Sequence, residues 1–422
     1  REVVLRLLLH IWSAPRSGSG TSSEHTCANA RLSPASRNSY PGRQQLASMR
    51  LRLPPRCLPI DHASLVACRA NATGHIVVVA TCHSKDTGAF AWTGNETYLD
   101  VSSLKQWRLD ADRMRLTVAA GVRYRDVASA LATAKLALPA YGNYGGQTIV
   151  GAMSTATHGA GRPSLSNFVE RMHVMDGQGC MHDITRADHD FAAWASSLGA
   201  LGVVAEAEFG LTRDWHVLET TMLGLRIHGL ASFLQVNRFS YGFHALKQSG
   251  RTRATHSPCR GCLYAWHRVA TTLAVNATYP KAAYMRGAAS MGGVDMSRPR
   301  VYAFSDLVHW EEQPPERPCY YARAATKGGW IAGVSDQTQE LELMLLPDEL
   351  ESAIRILTPI RYGTSSKRPV VEFRYVLRDT QDVLLSPYRD GDRIAMSIPA
   401  VSRVDGERVV HLLLEAHLDV RF

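Results

Sequence analysis

The chain has 422 residues, of which 45% are hydrophobic and 20% are charged. These values are ordinary for a soluble globular protein and exclude a disordered or collagen-like chain. The length allows two or three domains, and the longest apolar runs are far shorter than the ~20 residues of a membrane span. We therefore expect no transmembrane span, while association with a membrane surface stays open.

The net charge of +9 comes mainly from one end of the chain. Residues 1–60 contain nine Arg and no Lys against two Glu. A basic excess confined to a Pro- and Ser-rich arm does not build a groove for phosphates, so no nucleic-acid partner is expected. The sequence predicts a basic, poorly ordered arm over residues 1–58. Because the first residue is Arg1 and not Met, we expect a fragment, a processed form or an incomplete gene model.

Cysteines and glycosylation signals bear on the compartment. Eight Cys are scattered along the chain, and N-x-[ST] sequons occur at Asn71, Asn95 and Asn276. With the broken apolar segment at 3–12, they favour a glycoprotein of the secretory pathway, either extracellular or in the endoplasmic reticulum. A mitochondrial presequence is the alternative. The CxxC pair at 259–262 has no second pair nearby, so no metal site is predicted.

Hydrophobic periodicity predicts the elements of the first half of the chain. Regular apolar spacing predicts helices, whereas short apolar or alternating runs predict strands. In chain order we expect a helix at 61–70, strands at 75–80, 97–103 and 113–121, a helix at 123–140, a Gly-rich loop at 141–161, a hairpin of 168–176 with 179–184, a helix at 190–196 and a turn leading into a strand over 197–212.

The second half is richer in strands. Alternating residues predict strands at 340–346, 369–377 and 393–401. A helix is expected at 346–357, with Asp348 as its N-terminal cap. The chain therefore reads as α+β in two parts, divided near residue 213.

Two segments have the composition of a phosphate-binding device, although the usual nucleotide motifs are absent. VVVATCHSKD (77–86) runs from a buried strand into a tight turn of small residues. GNYGGQTIVGAMSTATHGAG (142–161) is rich in glycine and hydroxyl side chains. Turns of this kind present backbone N–H groups to an anion and allow close approach of a ligand. The alternative is two ordinary turn-rich loops.

The order and spacing of these segments resemble a known family. ATCHS (80–84) is similar to its G-x-G-H-S turn, VGAMSTATHGAG (150–161) to its G-G-x-x-x-T-G-T-H-G-x-G loop, and SLGALGVV (197–204) to its S-L-G-x-L-G-[IV]-[IV] segment. The family is the FAD-linked oxidases of the vanillyl-alcohol oxidase superfamily. Within it the chain looks most like the sugar-1,4-lactone oxidases (L-gulonolactone and D-arabinono-1,4-lactone oxidase) and the alditol oxidases.

The resemblance implies an α+β fold in two domains. Residues 59–213 would form a two-part PCMH-type FAD-binding domain, and residues 214–422 an α+β substrate domain with a mainly antiparallel sheet. It also implies FAD as the cofactor. The residues expected to bind it are Ala80, Thr81, Cys82, His83, Ser84, Asn143, Thr148, Gly151, Ser154, Thr155, Thr157, His158, Gly159, Gly202 and Val203.

His83 is the single residue with the most specific role in this resemblance. The resemblance implies that its imidazole carries FAD covalently; the alternative is a hydrogen-bonding histidine in the turn. Ala80 and Cys82 replace both glycines of the family turn. Because each adds a Cβ near the pyrophosphate, the turn must be wider or its φ values negative.

Glu372 and Arg374 are the predicted catalytic residues. At i and i+2 on a strand they point from the same face of a sheet. The resemblance implies that they orient the substrate hydroxyls in front of the flavin, and a structural salt bridge is the alternative. The H-W-x-K segment that usually ends the family's substrate domain is not seen before the chain stops at HLDVRF.

The function implied is an FAD-dependent oxidase of a sugar lactone or polyol, of the kind used in ascorbate-type biosynthesis. Hydride passes to flavin N5, and molecular oxygen reoxidises the flavin to give hydrogen peroxide. The alternatives are an alditol oxidase, an aldonolactone dehydrogenase that is insensitive to oxygen, and a truncated, inactive FAD-binding homologue.

Overall fold

The computed structural model of the chain describes two α+β units and short segments around them. The described residues are 56–81, 96–140, 145–214, 216–219, 230–236, 241–245, 300–303, 339–358, 360, 370–380, 383–401 and 403–421. Helices and strands are numbered below in chain order within these ranges.

The first unit begins with a small parallel sheet. Its central strand is β3 (Glu96–Asp100), flanked by β1 (Arg56–Cys57) and β2 (His75–Val79). Helix α1 (His62–Asn71) joins β1 to β2. It packs on the core through its two buried side chains, one of which, Cys68, is also disulfide-bonded to Cys57.

A capping box fixes the start of α1. The Asp61 carboxylate accepts the Ser64 amide hydrogen at 2.7 Å, and the Ser64 hydroxyl oxygen accepts the Asp61 amide hydrogen at 3.0 Å. Two backbone donors that a helix leaves without partners are thereby satisfied. The sequence therefore sets this helix boundary by local chemistry alone.

A five-stranded antiparallel sheet forms the larger part of the first unit. Its strand order is β4-β5-β9-β7-β8. The strands are β4 (Trp107–Asp110), β5 (Arg115–Ala119), β7 (Val169–Asp176), β8 (Met181–Thr185) and β9 (Gly202–Gly210). One hydrophobic core joins this sheet to the parallel sheet and to the helices of the unit.

Three helices and a two-stranded ladder complete the first unit. They are α2 (Tyr124–Ala134), α3 (Ile149–Ser154) and α4 (Phe191–Trp194), and β6 (Leu136–Ala137) paired with β10 (Thr212–Arg213). Residues of α2, α3 and α4 all enter the core of this unit.

The second unit contains a four-stranded antiparallel sheet with the order β12-β15-β16-β14. The strands are β12 (Tyr241–Ala245), β14 (Gln339–Leu345), β15 (Val370–Val376) and β16 (Arg393–Val401). A separate pair is formed by β11 (His216–Glu219) and β13 (Arg300–Ala303). The helices are α5 (Leu230–Val236), α6 (Leu350–Leu357) and α7 (Arg403–Glu415).

The two faces of the four-stranded sheet have different surroundings. One face supplies apolar side chains such as Leu343, Phe373 and Met396 to a core shared with α5, α6 and α7. Successive side chains of a strand point to opposite faces. The intervening positions, among them Met344 and Arg374, therefore lie on the other face, which adjoins the first unit.

The structure corrects several element predictions. The helix expected at 123–140 ends at Ala134, because Lys135 adopts a left-handed conformation with φ of 55°. The stretch expected to be a loop at 141–161 contains α3, and β4 was not predicted. The other predicted helices and strands of the first unit lie within a few residues of their expected positions.

The predicted cap at Asp348 is also wrong. Residues Pro347–Glu349 form a 3-10 turn before α6. Glu349, not Asp348, reaches back, and its carboxylate accepts the Leu346 amide hydrogen at 3.1 Å. In this tighter turn the cap is Leu346, so the residue three positions later, which can reach back to its amide, is Glu349.

Among the described residues, no helix combines the length and apolar character that crossing a membrane requires.

Candidate cofactor and substrate site

Helix α3 and the turn after it carry many of the predicted cofactor residues. The chain enters at Thr148, and the Ile149 amide donates to the Val122 carbonyl at 2.9 Å. After α3 the chain reverses at Ala156, which has a φ of +51°, so that the Thr157 amide donates to the Ala152 carbonyl at 2.9 Å. This reversal folds the Thr-rich segment back against the end of the helix.

The hydroxyl groups of this turn form a local cluster. The Thr155 and Thr157 hydroxyl oxygens lie 3.2 Å apart, and Ser154 donates its hydroxyl to the Val150 carbonyl at 2.9 Å. A Cβ on Gly151 would lie 2.6 Å from the Thr148 hydroxyl oxygen. Gly151 is therefore crowded by the Thr148 side chain at the start of α3.

A second loop meets this turn. The Leu198 amide donates to the Ser154 carbonyl at 3.0 Å. Leu198 has a positive φ of 54°, which is unusual for a leucine, and its side chain is largely exposed. The segments around 150–161 and 197–204 thus form one continuous surface of the first unit.

Gly202 and Val203 begin β9 beside that surface. A Cβ on Gly202 would lie 2.1 Å from the Met175 carbonyl oxygen, and its φ of +145° is one that side-chain-bearing residues rarely adopt. The glycine is therefore needed for the approach of β9 to β7. Val203 is 4% exposed and belongs to the core.

Two buried hydroxyl groups bear on whether this surface fits FAD. Ser196 and Ser197 are each 1% exposed, and their Oγ atoms have no hydrogen-bond partner among the described residues. They directly precede Leu198, which is bonded to the α3 turn. Buried hydroxyls without partners are costly, and the ribose and phosphate oxygens of FAD would supply partners. The residues present therefore fit this cofactor.

The same α3 segment continues into a junction with the second unit. The Gly161 amide donates to the Tyr375 carbonyl at 2.7 Å, and the Leu377 amide donates to the Arg162 carbonyl at 3.2 Å. On β15 the pairing with β12 ends at Arg374. Beyond Arg374, the backbone of β15 is therefore hydrogen-bonded to residues 161–162.

Asp379 strengthens the junction. Its two carboxylate oxygens accept the Ser164 amide hydrogen at 2.8 Å and the Ser164 hydroxyl at 2.9 Å, and the Ser386 hydroxyl also donates to it. Asp379 is 2% exposed. Burial raises the pKa of this carboxyl, while the hydrogen bonds from Ser386 and Ser164 and the nearby His158 oppose that shift.

Arg374 is buried at the same junction. It is 9% exposed and lies close enough to Tyr388 to act on its ionisation. Burial raises the pKa of the Tyr388 phenol well above its usual value, whereas Arg374 acts in the opposite direction. Glu372 occupies the register position two residues earlier, opposite Ser397 of β16. The sheet thus brings the predicted pair to the face that adjoins the first unit.

His158 links the two units through its side chain. Its Nδ1 lies 3.0 Å from the Gly159 carbonyl oxygen, and its Nε2 lies 3.3 Å from a carboxylate oxygen of Glu342 on β14. The ring is 4% exposed and contacts Tyr388 edge-on, with ring centroids 5.2 Å apart.

Several predicted residues lie outside the described residues. These are Cys82, His83, Ser84 and Asn143, together with the CxxC pair at 259–262. Ala80 and Thr81 directly follow β2, at the mouth of the predicted turn. The assignment of cofactor contacts to these residues, and to those of the α3 turn, stays a prediction.

Sequence reasoning missed five residues of this region. Ser196 stands directly before a quoted motif, so its position was a usable signal. Ser164, Glu342 and Asp379 have no local pattern that marks them, because their partners are more than a hundred residues away in the chain. Ser386 donates its hydroxyl to Asp379.

Comparison with known proteins supports the cofactor. Residues 60–185 match the family described as FAD binding domain. The chain is 33% identical over 136 residues to a long-chain alcohol oxidase from an uncultured marine euryarchaeote, covering 31% of this chain and 28% of the relative. It is 31% identical over 140 residues to L-gulono-1,4-lactone dehydrogenase from Mycobacterium tuberculosis, covering 33% of this chain and 30% of the relative.

A third relative is an alditol oxidase. Alditol oxidase from Streptomyces sp. is 28% identical over 124 residues, covering 29% of this chain and 30% of the relative. The matched part of this chain thus spans less than a third of the length of each of these relatives.

A solved structure extends the likeness beyond the matched domain. The 6-hydroxy-D-nicotine oxidase of Arthrobacter nicotinovorans superposes with a TM-score of 0.58 at 13% identity, covering 87% of this chain and 81% of that chain. The predicted α+β fold, with a PCMH-type FAD-binding domain followed by a second α+β unit, is confirmed by these likenesses.

Proposed function

We propose that this chain, whose residues 60–185 match an FAD binding domain, oxidises a C–OH group of a sugar lactone or an alditol. The observation that supports this function most is the junction at β15. There the loop that follows α3 is bonded to the strand that carries Glu372 and Arg374. A cofactor held by that loop would adjoin the face of the sheet on which the two charged residues lie.

Bound FAD would supply the two-electron acceptor for this oxidation. Arg374 would hold the substrate oxygens, because a buried guanidinium offers a rigid fork of donors. Glu372 would accept hydrogen bonds from substrate hydroxyls. The buried junction around Asp379 and Tyr388 would keep water away from one side of the reacting groups. For an L-gulono-1,4-lactone-type substrate the product would be of the ascorbate type.

The acceptor of the electrons is part of the proposal. We favour molecular oxygen, with hydrogen peroxide as the product. An oxygen-insensitive lactone dehydrogenase is the second candidate, because one relative is named a lactone dehydrogenase. A protein that binds FAD without turnover is the third candidate.

The disulfides support a secretory location. Cys57 is bonded to Cys68, and Cys180 is also disulfide-bonded, to a partner outside the described residues. Disulfides persist in oxidising compartments. Asn71, in the first of the three sequons, is exposed at the last residue of α1, so it is accessible to glycosylation. We therefore propose a glycoprotein of the secretory pathway.

The function is tested by anaerobic reduction of the bound flavin. FAD-loaded protein is mixed without oxygen with aldonolactones, alditols and long-chain alcohols, and loss of the oxidised flavin absorbance is followed. Reduction by a lactone or an alditol supports the proposal, and reduction by long-chain alcohols alone contradicts the substrate class. Peroxide formation after air is admitted separates an oxidase from a dehydrogenase. If no compound reduces the flavin, the binding-protein candidate replaces the enzyme.

An arginine variant tests the role of the junction. Arg374→Gln should keep its FAD but slow flavin reduction by roughly two to three and a half powers of ten, the rate effect of about 3–5 kcal/mol. Arg355→Gln is the matched control, because Arg355 is exposed and is paired with Glu351 along α6 at 2.5 Å. If Arg374→Gln loses FAD and melts earlier, yet turns over normally per bound flavin, its role is structural.

A further inference from the structure

Glu342 shares a cross-strand row with the predicted catalytic strand. In the register of the sheet, Glu342 of β14 lies opposite Ser397 of β16, and Ser397 lies opposite Glu372 of β15. Residues of one such row project from the same face of a sheet. Met344 and Arg374 belong to the neighbouring row on that face, which is linked through Ala395. The face therefore has acidic positions on β14 and β15 in one row, with Ser397 of β16 between them.

The contact with His158 fixes the orientation of Glu342. A carbonyl oxygen only accepts hydrogen bonds, so His158 Nδ1, at 3.0 Å from the Gly159 carbonyl, must be the donor. Nε2 on the other side of the ring lies 3.3 Å from Glu342 Oε1, so the imidazole faces this carboxylate.

The two partners differ in their exposure. The His158 side chain is 5% exposed, whereas that of Glu342 is 34% exposed. His158 is held on three sides, by the Gly159 carbonyl, by Tyr388 and by Glu342. The imidazole is thus a buried support, and the carboxylate is the member of the pair that can meet a ligand.

Asp379 and Tyr388, which lie nearby, are less suited than Glu342 to bind a neutral ligand. Asp379 is 2% exposed and receives hydrogen bonds from Ser164 and Ser386. The Tyr388 hydroxyl is buried and donates to the Met344 sulfur at 3.0 Å. Of these acidic groups, Glu342 is the one that combines partial exposure with a place in the row of Glu372.

We propose that Glu342, positioned by the buried His158, is a substrate-binding carboxylate that accepts a hydrogen bond from a hydroxyl group. This inference rests on the proposed function and narrows its substrate class. A ligand that engages carboxylates at two positions of one row, and Arg374 beside them, needs several hydroxyl groups. An alditol or an aldonolactone meets that requirement, and a long-chain alcohol with a single hydroxyl does not.

The test compares Glu342→Gln and Glu342→Leu with the matched control Glu351→Gln, a glutamate of α6 whose side chain is 29% exposed and paired with Arg355. The KM of FAD-loaded enzyme is measured with the alditol or aldonolactone that reduces the wild type best. Loss of a hydrogen bond to a charged group should raise KM about 10-fold to 100-fold in both Glu342 variants. The control should match the wild type.

Binding is also measured without turnover. The dissociation constant of the reaction product for the oxidised holoenzyme, obtained by calorimetry, should weaken by a similar factor. FAD content and melting temperature are recorded for each variant. A normal KM and a normal product affinity in a folded, fully loaded Glu342→Gln protein would overturn the proposal, whatever the behaviour of Glu342→Leu.

Variants of His158 test its positioning role. The side-chain amide of glutamine can place a donor where Nε2 lies, whereas leucine cannot. His158→Gln should therefore regain part of the substrate affinity that His158→Leu loses, when both are compared at equal flavin content. Equal KM values in the two variants contradict positioning by His158. If neither alditols nor lactones reduce the wild-type flavin, the proposed function fails and this inference fails with it; if they do, failure at Glu342 leaves the proposed function standing.

Discussion

The carboxylate of Asp379 accepts hydrogen bonds from the backbone amide and the hydroxyl of Ser164, at 2.8 and 2.9 Å. The two residues are 215 positions apart in the chain. Ser164 follows the loop that leads from the proposed cofactor surface, and Asp379 follows the strand with the proposed catalytic pair. The Ser386 hydroxyl donates to the same carboxylate. One buried carboxylate therefore holds together two segments that are far apart in sequence and must be adjacent for the proposed reaction.

The first prediction concerns the strength of that link. Asp379→Asn replaces an acceptor oxygen by an amide donor that faces other donors. We expect a loss of roughly 3 kcal/mol in the free energy of unfolding at about pH 7, since the hydrogen bonds to a buried carboxylate are charge-assisted. Urea unfolding measures this value.

The control for that prediction is Asp390→Asn. Asp390 is paired with Arg421, and its side chain is 58% exposed. Exposed ion pairs contribute at most about 1 kcal/mol, so this variant should be close to the wild type. Equal losses in the two variants would mean that the Asp379 link contributes no more than a surface pair.

A second prediction follows from the ionisation of Asp379. Burial raises its folded-state pKa above the ordinary value of about 4, and the hydrogen bonds from Ser386 and Ser164 offset this only in part. The folded protein therefore binds this proton more tightly than the unfolded chain does. The resulting stabilisation is fully present below about pH 4 and is lost as the pH rises through the folded-state pKa.

The stability gap between wild type and Asp379→Asn should accordingly be larger at about pH 4 than at about pH 7. Urea unfolding across this range, with Asp390→Asn measured in parallel, checks the trend. A gap that widens with rising pH would show that hydrogen bonding to the ionised carboxylate outweighs burial.

The third prediction concerns His83 and the attachment of FAD. If the link is covalent, flavin absorbance should remain with the protein pellet after acid precipitation. His83→Ala should still bind some FAD, because backbone N–H groups make most contacts to a bound phosphate, but its flavin should appear in the supernatant. Release of all flavin from the wild type would rule out the covalent link.

The fourth prediction concerns Gly202. In Gly202→Ala the new Cβ would lie 2.1 Å from the Met175 carbonyl oxygen, on a backbone with φ of +145°. We expect a loss of more than about 2 kcal/mol in unfolding free energy. Gly177→Ala is the control, because nothing lies within 4 Å of its added Cβ, and it should change stability by less than about 1 kcal/mol. Similar melting temperatures for the two variants would contradict the crowding argument.

Local chemistry made the elements of the first unit predictable. The hairpin at Gly177 and the apolar spacing of α1 both act over a few residues, and the structure has these elements at the expected places. The end of α2 was not predictable in this way. Nothing in the sequence near Lys135 distinguishes a left-handed residue from one more helical turn.

Only part of the candidate site could be predicted from the sequence. The segments around 150–161 and 197–204 carry recognisable patterns, and the bond between Ser154 and Leu198 joins them. The pairing of His158 with Glu342 depends on how two units pack and on the register of β14. Neither quantity has a local signature in the amino-acid sequence.

The disulfide between Cys57 and Cys68 has a practical consequence for obtaining this protein. Closing a loop with a sequence separation of 11 residues stabilises a fold by about 3 kcal/mol in the chain-entropy account. Material produced in a reducing cytosol, or handled with thiol reagents, would lack that contribution at the corner where α1 meets β1. Its yield and heat resistance should improve when the protein is made in an oxidising cell compartment or refolded with a glutathione redox pair.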